Sequence, residues 1–176
     1  FHYVMDVNVY GPYRITKAFG PLVIAGNGRI TTISSIAGIL SPPGLGVYSM
    51  SKHAMEAFGD ALAAEMAPLG VQVSLVEPGN FRSEISRTAA QRMGAGATSP
   101  LADRSQYPEP DAVAAAVLHS LSDASPKRRY MVTPNAAEAE LTIKKAIEEL
   151  VQLNQDQPYT YDRKALMEML DAKLGQ

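Results

Sequence analysis

Tyr48 and Lys52 stand four residues apart in the run Val47-Tyr48-Ser49-Met50-Ser51-Lys52. If that run is helical, residues four apart share a face, and a phenol lies beside an ammonium. A neighbouring positive charge favours phenolate and lowers the tyrosine pKa. A phenol tuned toward neutrality can exchange a proton with an alcohol or a carbonyl. Ser34 and Ser35 close an apolar segment upstream, so a serine hydroxyl at the end of a neighbouring strand could orient the same oxygen. The chemistry suggested is redox at a carbinol carbon, with the hydride supplied from elsewhere.

The elements that must hold these residues follow from the spacing of apolar positions. Val7, Tyr10, Ile15, Ala18, Leu22 and Val23 recur at helical intervals and predict a helix from Asp6 to about Ala25. Pro12 and Pro21 work against it, because proline removes a helical donor and crowds the preceding turn. After the Gly26-Asn27-Gly28 turn, Arg29 to Ser35 reads as a buried strand. Pro42-Pro43-Gly44 makes the next stretch a loop. Val47, Met50, Ala54, Phe58, Ala61 and Leu62 form the apolar stripe of a helix from Val47 to about Pro68, stopped by Gly70. Val71 to Val76 is a second apolar strand, ended by Pro78-Gly79. Strand, helix and strand at this spacing predict a βαβ unit with a right-handed crossover.

Residues 82–110 show no periodicity and contain Gly94 and Gly96, which predicts a substrate lid. Leu40, Leu45, Met93 and Leu101 could line an apolar pocket beneath it, and would serve equally well as core. A helix from Asp111 to Leu121, a short third strand from Arg129 to Val132 and amphipathic helices at Ala136–Leu153 and Asp162–Leu174 complete the chain.

Composition narrows the function. The 176 residues, 46% hydrophobic, make one domain with a real core. A net charge of -2 gives no electrostatic reason to expect nucleic acid. With no cysteine there is no disulfide framework and no thiolate metal site. His2, His53 and His119 are scattered without ligand spacing, so no metal is expected. Neither Ser34 nor Ser35 sits in a Gly-x-Ser-x-Gly elbow, which argues against an esterase. No apolar stretch reaches the roughly 20 residues of a membrane span, and a cytoplasmic location is expected.

Asn8, Ser35, Tyr48 and Lys52, at these intervals, resemble the Asn-Ser-Tyr-Lys tetrad of the short-chain dehydrogenase/reductase family. The strings Asp6-Val7-Asn8-Val9-Tyr10-Gly11, Gly28 to Gly38, and Glu77-Pro78-Gly79-Asn80-Phe81-Arg82-Ser83 match in the same order, and the likeness runs from Phe1 to about Pro134. The resemblance implies Tyr48 as general acid/base, with Lys52 lowering its pKa and bonding the nicotinamide ribose. It selects Ser35 over Ser34 as the donor to the substrate oxygen, and gives Asn8 a water linked to Lys52. It implies that Pro78 and Gly79 let the backbone approach the nicotinamide, that Asn80 and Phe81 offer main-chain groups to its carboxamide, and that Ser83 stands where the family usually has threonine.

The fold implied is the C-terminal half of a Rossmann-like doubly wound α/β domain. Residues 1–134 would form the partial catalytic domain, and residues 135–176 a helical extension of it. The cofactor implied is NAD or NADP, the substrate a small alcohol or ketone, and the partner a second copy of the chain. The glycine-rich turn that family members place before these strings is not in the sequence. The chain by itself is therefore expected to be inactive and to bind dinucleotide weakly. The rival expectation is a non-catalytic relative that acts only in binding or subunit assembly.

Overall fold

The computed structural model of the protein describes residues 1–92 and 105–175. The chain divides into two units, residues 1–142 and 143–176.

In the first unit a helix opens at α1 (His2–Met5), passes through a π-helical turn at Asp6–Tyr10 and continues as α2 (Gly11–Ala25). Periodicity predicts unbroken α-helix here. The departure has a local cause. Pro12 has no N–H to give the carbonyl of Asn8 four residues back, and the ladder widens so that the Gly11 N–H bonds to the Asp6 carbonyl instead. Single π turns of this kind recur at functional sites. Pro21 is carried inside α2.

Strand β1 (Arg29–Ile33) leads into a 3-10 turn at Ile36–Gly38, and α3 (Gly46–Met66) follows. A further 3-10 turn at Ala67–Leu69 ends on Gly70, whose φ of 75° is the left-handed conformation that stops a helix. Strand β2 (Gln72–Pro78) pairs in parallel with β1, with Arg29 opposite Gln72 and Ile33 opposite Val76. Next come α4 (Ile85–Arg92), α5 (Asp111–Ser122), β3 (Arg129–Val132) and α6 (Ala136–Asn154). β3 pairs in parallel with the end of β2, giving a three-stranded sheet in the order β1-β2-β3. The second unit holds the rest of α6 and α7 (Arg163–Leu174), where the Asp162 carboxylate caps α7 by accepting the Ala165 N–H.

Both sheet faces are covered, as the α/β reading requires. Leu62 and Met66 of α3 pack on Val71 and Val73, with Val23 and Ile24 of α2 and Ile30 of β1 against them. On the opposite face the hydroxyls of Thr31 and Ser120 of α5 are 2.8 Å apart. The strand order advances in one direction while α3 and α5 lie on opposite faces, so the two crossovers must have opposite hands. One of them departs from the usual right-handed rule. Complete burial of a residue such as Leu75 contributes roughly 1.5–3 kcal/mol.

The stretch 82–110 is not irregular throughout. α4 is built from Ile-Ser-Arg-Thr-Ala-Ala-Gln-Arg, and only Ala90 is buried. Such a helix forms from good propensity and leaves no apolar period to detect. The chain returns close to its departure point, where the Arg82 N–H donates to the Pro108 carbonyl at 2.8 Å and Arg82 pairs with Glu109 at 2.7 Å. Gly94, Gly96, Met93 and Leu101 lie outside the described residues; Leu40 is half-buried and Leu45 is exposed.

Candidate active site

The carboxyl ends of parallel strands are where ligands bind in open α/β sheets, and the predicted residues gather there. Tyr48 is in the first turn of α3, half-buried, with Lys52 one turn later. Lys52 Nζ donates to the Ile33 carbonyl at the end of β1 at 3.0 Å and lies 5.7 Å from the centre of the Tyr48 ring. Burial pulls the Lys52 ammonium below its ordinary pKa, and the Glu56 carboxylate one turn on opposes that shift.

The two serines meet different surroundings. Ser35 caps the 3-10 turn by accepting the Ala37 N–H at 3.1 Å and gives its own proton to the Pro78 carbonyl at 3.2 Å. It thereby ties the end of β1 to the turn after β2. Donation to a substrate oxygen would require that hydroxyl to rotate away from Pro78. Ser34 is buried and faces inward: a Cβ on Gly38 would lie 3.0 Å from its hydroxyl and 2.8 Å from the Glu56 side chain. Gly38 has to be glycine for this packing.

Asn8 reaches across from the π turn. Its side-chain amide donates to Ser51 Oγ at 3.0 Å, and Ser51 donates to the Tyr48 carbonyl at 2.6 Å. The π turn is thus fastened to α3 between the tyrosine and the lysine.

After β2 the Gly79 N–H donates to the Val132 carbonyl at 2.7 Å and the Asn80 N–H to Glu138 Oε2 at 2.9 Å. The main-chain N–H expected of Asn80 for a carboxamide is therefore committed to Glu138. Phe81 is buried, leaving only its main chain for a ligand, and Ser83 is exposed.

Beneath the strand ends lies an ion cluster that motif reasoning did not find. Arg129 of β3 pairs with Glu56 at 3.0 Å, with both oxygens of Asp60 at 2.8 and 2.9 Å and with Glu77 at 3.2 Å. Arg128 adds a bond to Asp60 at 3.0 Å and holds the Val73 carbonyl at 2.9 Å. Three carboxyl groups thus meet two guanidiniums, with the Lys52 ammonium facing Glu56 as well. Burial, reinforced by the Glu56 carboxylate, pushes Glu77 up to about 7, against the pull of Arg129. The two Arg side chains, Arg129 above all, hold Asp60 down at about 2. Its members are far apart in sequence, on α3, β2 and β3, and no local spacing joins them.

The sequence matches the short chain dehydrogenase family over residues 1–94. That is more than half of the chain and includes all four tetrad positions. The chain belongs to the short-chain dehydrogenase family. It is 45% identical over 92 residues to the mitochondrial D-beta-hydroxybutyrate dehydrogenase of Rattus norvegicus, a match covering 52% of this chain and 27% of that one. A short-chain dehydrogenase from Streptomyces avermitilis shares the fold with a TM-score of 0.65 at 28% identity, covering 84% of this chain and 57% of that protein. Another, from Burkholderia cenocepacia and solved in complex with NADP, gives 0.63 at 24% identity, covering 88% and 58%. The chain thus spans part of the length of these family members. No group of His, Cys, Asp and Glu able to hold a metal ion occurs among the described residues, and no described helix is long and apolar enough to cross a membrane.

Proposed function

We propose that this chain carries the proton-transfer half of an NAD(P)-dependent oxidoreductase that interconverts an alcohol and its carbonyl. The observation that carries the reading is the joining of three separate segments at one end of the sheet. The Lys52–Ile33 bond sets α3 against the end of β1, and the Ser35–Pro78 bond sets that end against the turn after β2.

The residues fit the nicotinamide-ribose end of a dinucleotide. An ammonium has three donors, and Lys52 directs one to Ile33, leaving two for ribose hydroxyls. Pro78 and Gly79 form the adjoining turn, and the Phe81 main chain and the exposed Ser83 hydroxyl would contact a carboxamide. When bound, the nicotinamide supplies or accepts the hydride. Tyr48 holds the proton on its phenolic oxygen, giving it to the carbonyl oxygen in reduction and taking it from the alcohol in oxidation. The Lys52 charge favours the phenolate that this exchange creates. Ser35, once rotated from Pro78, bonds the same substrate oxygen and steadies the charge that develops there. Asn8 holds the backbone between Tyr48 and Lys52 through Ser51.

In the intact protein Tyr48→Phe should lower turnover by about 10²–10⁴-fold, the usual cost of losing a general acid/base, with cofactor affinity nearly unchanged. Steady-state kinetics with an accepted alcohol measure both. Retention of more than half the wild-type rate would contradict the assignment.

One observation favours a second reading, assembly with a further copy of the chain without catalysis. Ile15, Phe19 and Leu22, spaced four and seven residues along one face of α2, are all exposed. Contiguous exposed apolar faces are where contacts between chains form. Catalysis by the intact protein, abolished in Tyr48→Phe, separates the two readings.

A further inference from the structure

Glu138 belongs to no motif and stands 58 residues from the turn it touches. Asn135, just before α6, accepts the Glu138 N–H on its side-chain oxygen at 2.9 Å. Asn-x-x-Glu is the pattern of a capping box, in which the third-position carboxylate turns back to the cap residue's own N–H. Here Oε2 instead reaches out to the Asn80 N–H at 2.9 Å, while Oε1 accepts a long bond from the Asn135 amide at 3.4 Å.

Gly79 makes room for that reach. A Cβ at Gly79 would lie 2.3 Å from Glu138 Oε2 and 3.1 Å from Pro134 Cδ. Its backbone is within reach of any residue, since Gly79 is not among the positive-φ glycines. What a Cβ there would displace first is the carboxylate itself. Three consecutive polar groups of one turn are thus each fixed by a different element: the Pro78 carbonyl by Ser35 after β1, the Gly79 N–H by β3 and the Asn80 N–H by α6.

We propose that Glu138 is a positioning residue for the cofactor turn, its carboxylate fixing the course of Pro78-Gly79-Asn80 against the nicotinamide. The proposal rests on the oxidoreductase reading above. A turn held from three sides binds without first paying to be ordered, and α6 supplies the third anchor.

The test uses the intact protein with Glu138→Ala, Glu138→Gln and Gly79→Ala, read by amide exchange at Asn80 and by the KM for nicotinamide cofactor beside kcat. Glu138→Ala should speed Asn80 exchange and raise the cofactor KM by about tenfold or more, the size expected for losing one hydrogen bond to a charged group. Glu138→Gln keeps an acceptor oxygen of the same reach and should stay within about fivefold of wild type on the same grounds. Gly79→Ala, which displaces the carboxylate, should repeat the Glu138→Ala phenotype, so the proposal stays testable if Glu138→Ala does not fold. Unchanged Asn80 exchange in Glu138→Ala overturns the proposal. So does faster exchange with an unchanged cofactor KM, in which case the oxidoreductase reading stands. If the wild type itself turns over no alcohol with either cofactor, the oxidoreductase reading fails and takes the proposal with it.

Discussion

Replacing Gly59 with alanine should destabilise the fold and slow the chemistry together, although alanine is the better helix former. Gly59 is in the middle of α3, where the helix crosses β2. A Cβ there would meet Leu75 Cδ2 at 2.7 Å, Cδ1 at 2.8 Å and Cγ at 2.9 Å, and Leu75 is fully buried. All three side-chain atoms are too near, so no single rotation clears them. Restoring ordinary contact at 3.4 Å needs about 0.7 Å of retreat (3.4 − 2.7) by helix or strand. Alanine gains roughly 0.5–1 kcal/mol in a helix interior, whereas overpacking a tight core costs about 1–3 kcal/mol. The net expectation is a loss of about 1 kcal/mol, seen as a lower urea midpoint at unchanged slope. Lys52 is on the same helix two turns earlier, held to Ile33 at 3.0 Å. Misplacement of a site by about 1 Å can cost on the order of 100-fold in rate, so turnover should fall by more than the stability loss alone explains. Gly46→Ala, at a position with nothing within 4 Å, is the control and should leave stability level or slightly raised. A Gly59→Ala protein as stable as wild type, with normal turnover, would refute the claim that this close approach sets the position of α3.

Two further outcomes follow from the ion cluster and from the cap of α7. Glu77 is held up at about 7 against an ordinary 4.5, so between those values the folded state binds a proton that the unfolded state lacks. Stability should therefore decline as pH rises through that window and stay lower above it, by an amount on the order of 3 kcal/mol at most (2.5 pH units). Glu77→Gln should flatten the decline, and urea midpoints of both proteins at about pH 5 and pH 8 would show it; an equal pH slope in the two would count against the buried proton. Asp162→Ala removes the side-chain bond to the Ala165 N–H and should cost about 1 kcal/mol of α7 stability, read as faster amide exchange in the first turn of that helix.

Much of the architecture was legible because its elements carry strong periods. β3 occupies the predicted Arg129–Val132, and the tetrad-bearing helix starts one residue before the predicted Val47. Elements without an apolar period were not legible. α4 buries only Ala90, and the π turn depends on a backbone donor missing at Pro12, which periodicity does not register. The site divides in the same way. Tyr48 and Lys52 could be found because four-residue spacing on a helix is a local geometric fact. The separation of Ser34 from Ser35 depends on Gly38 and Glu56, and the commitment of the Asn80 N–H depends on a side chain 58 residues away. The Glu56–Glu77–Arg129 cluster is likewise a long-range pairing, and each member alone reads as an ordinary charge.

In the proposed reaction Tyr48 moves the proton while a hydride leaves or joins a carbinol carbon. The most direct test follows deuterium from that carbon. The intact protein is given a panel of carbinol-deuterated secondary alcohols with NAD or NADP, and the reduced nicotinamide is examined by mass spectrometry. Deuterium should appear in the nicotinamide for at least one alcohol, with transfer lowered by about 10²–10⁴-fold in Tyr48→Phe. Deuterium transfer at the wild-type rate in Tyr48→Phe, or none from any alcohol with either cofactor in the wild type, would contradict the proposed reaction.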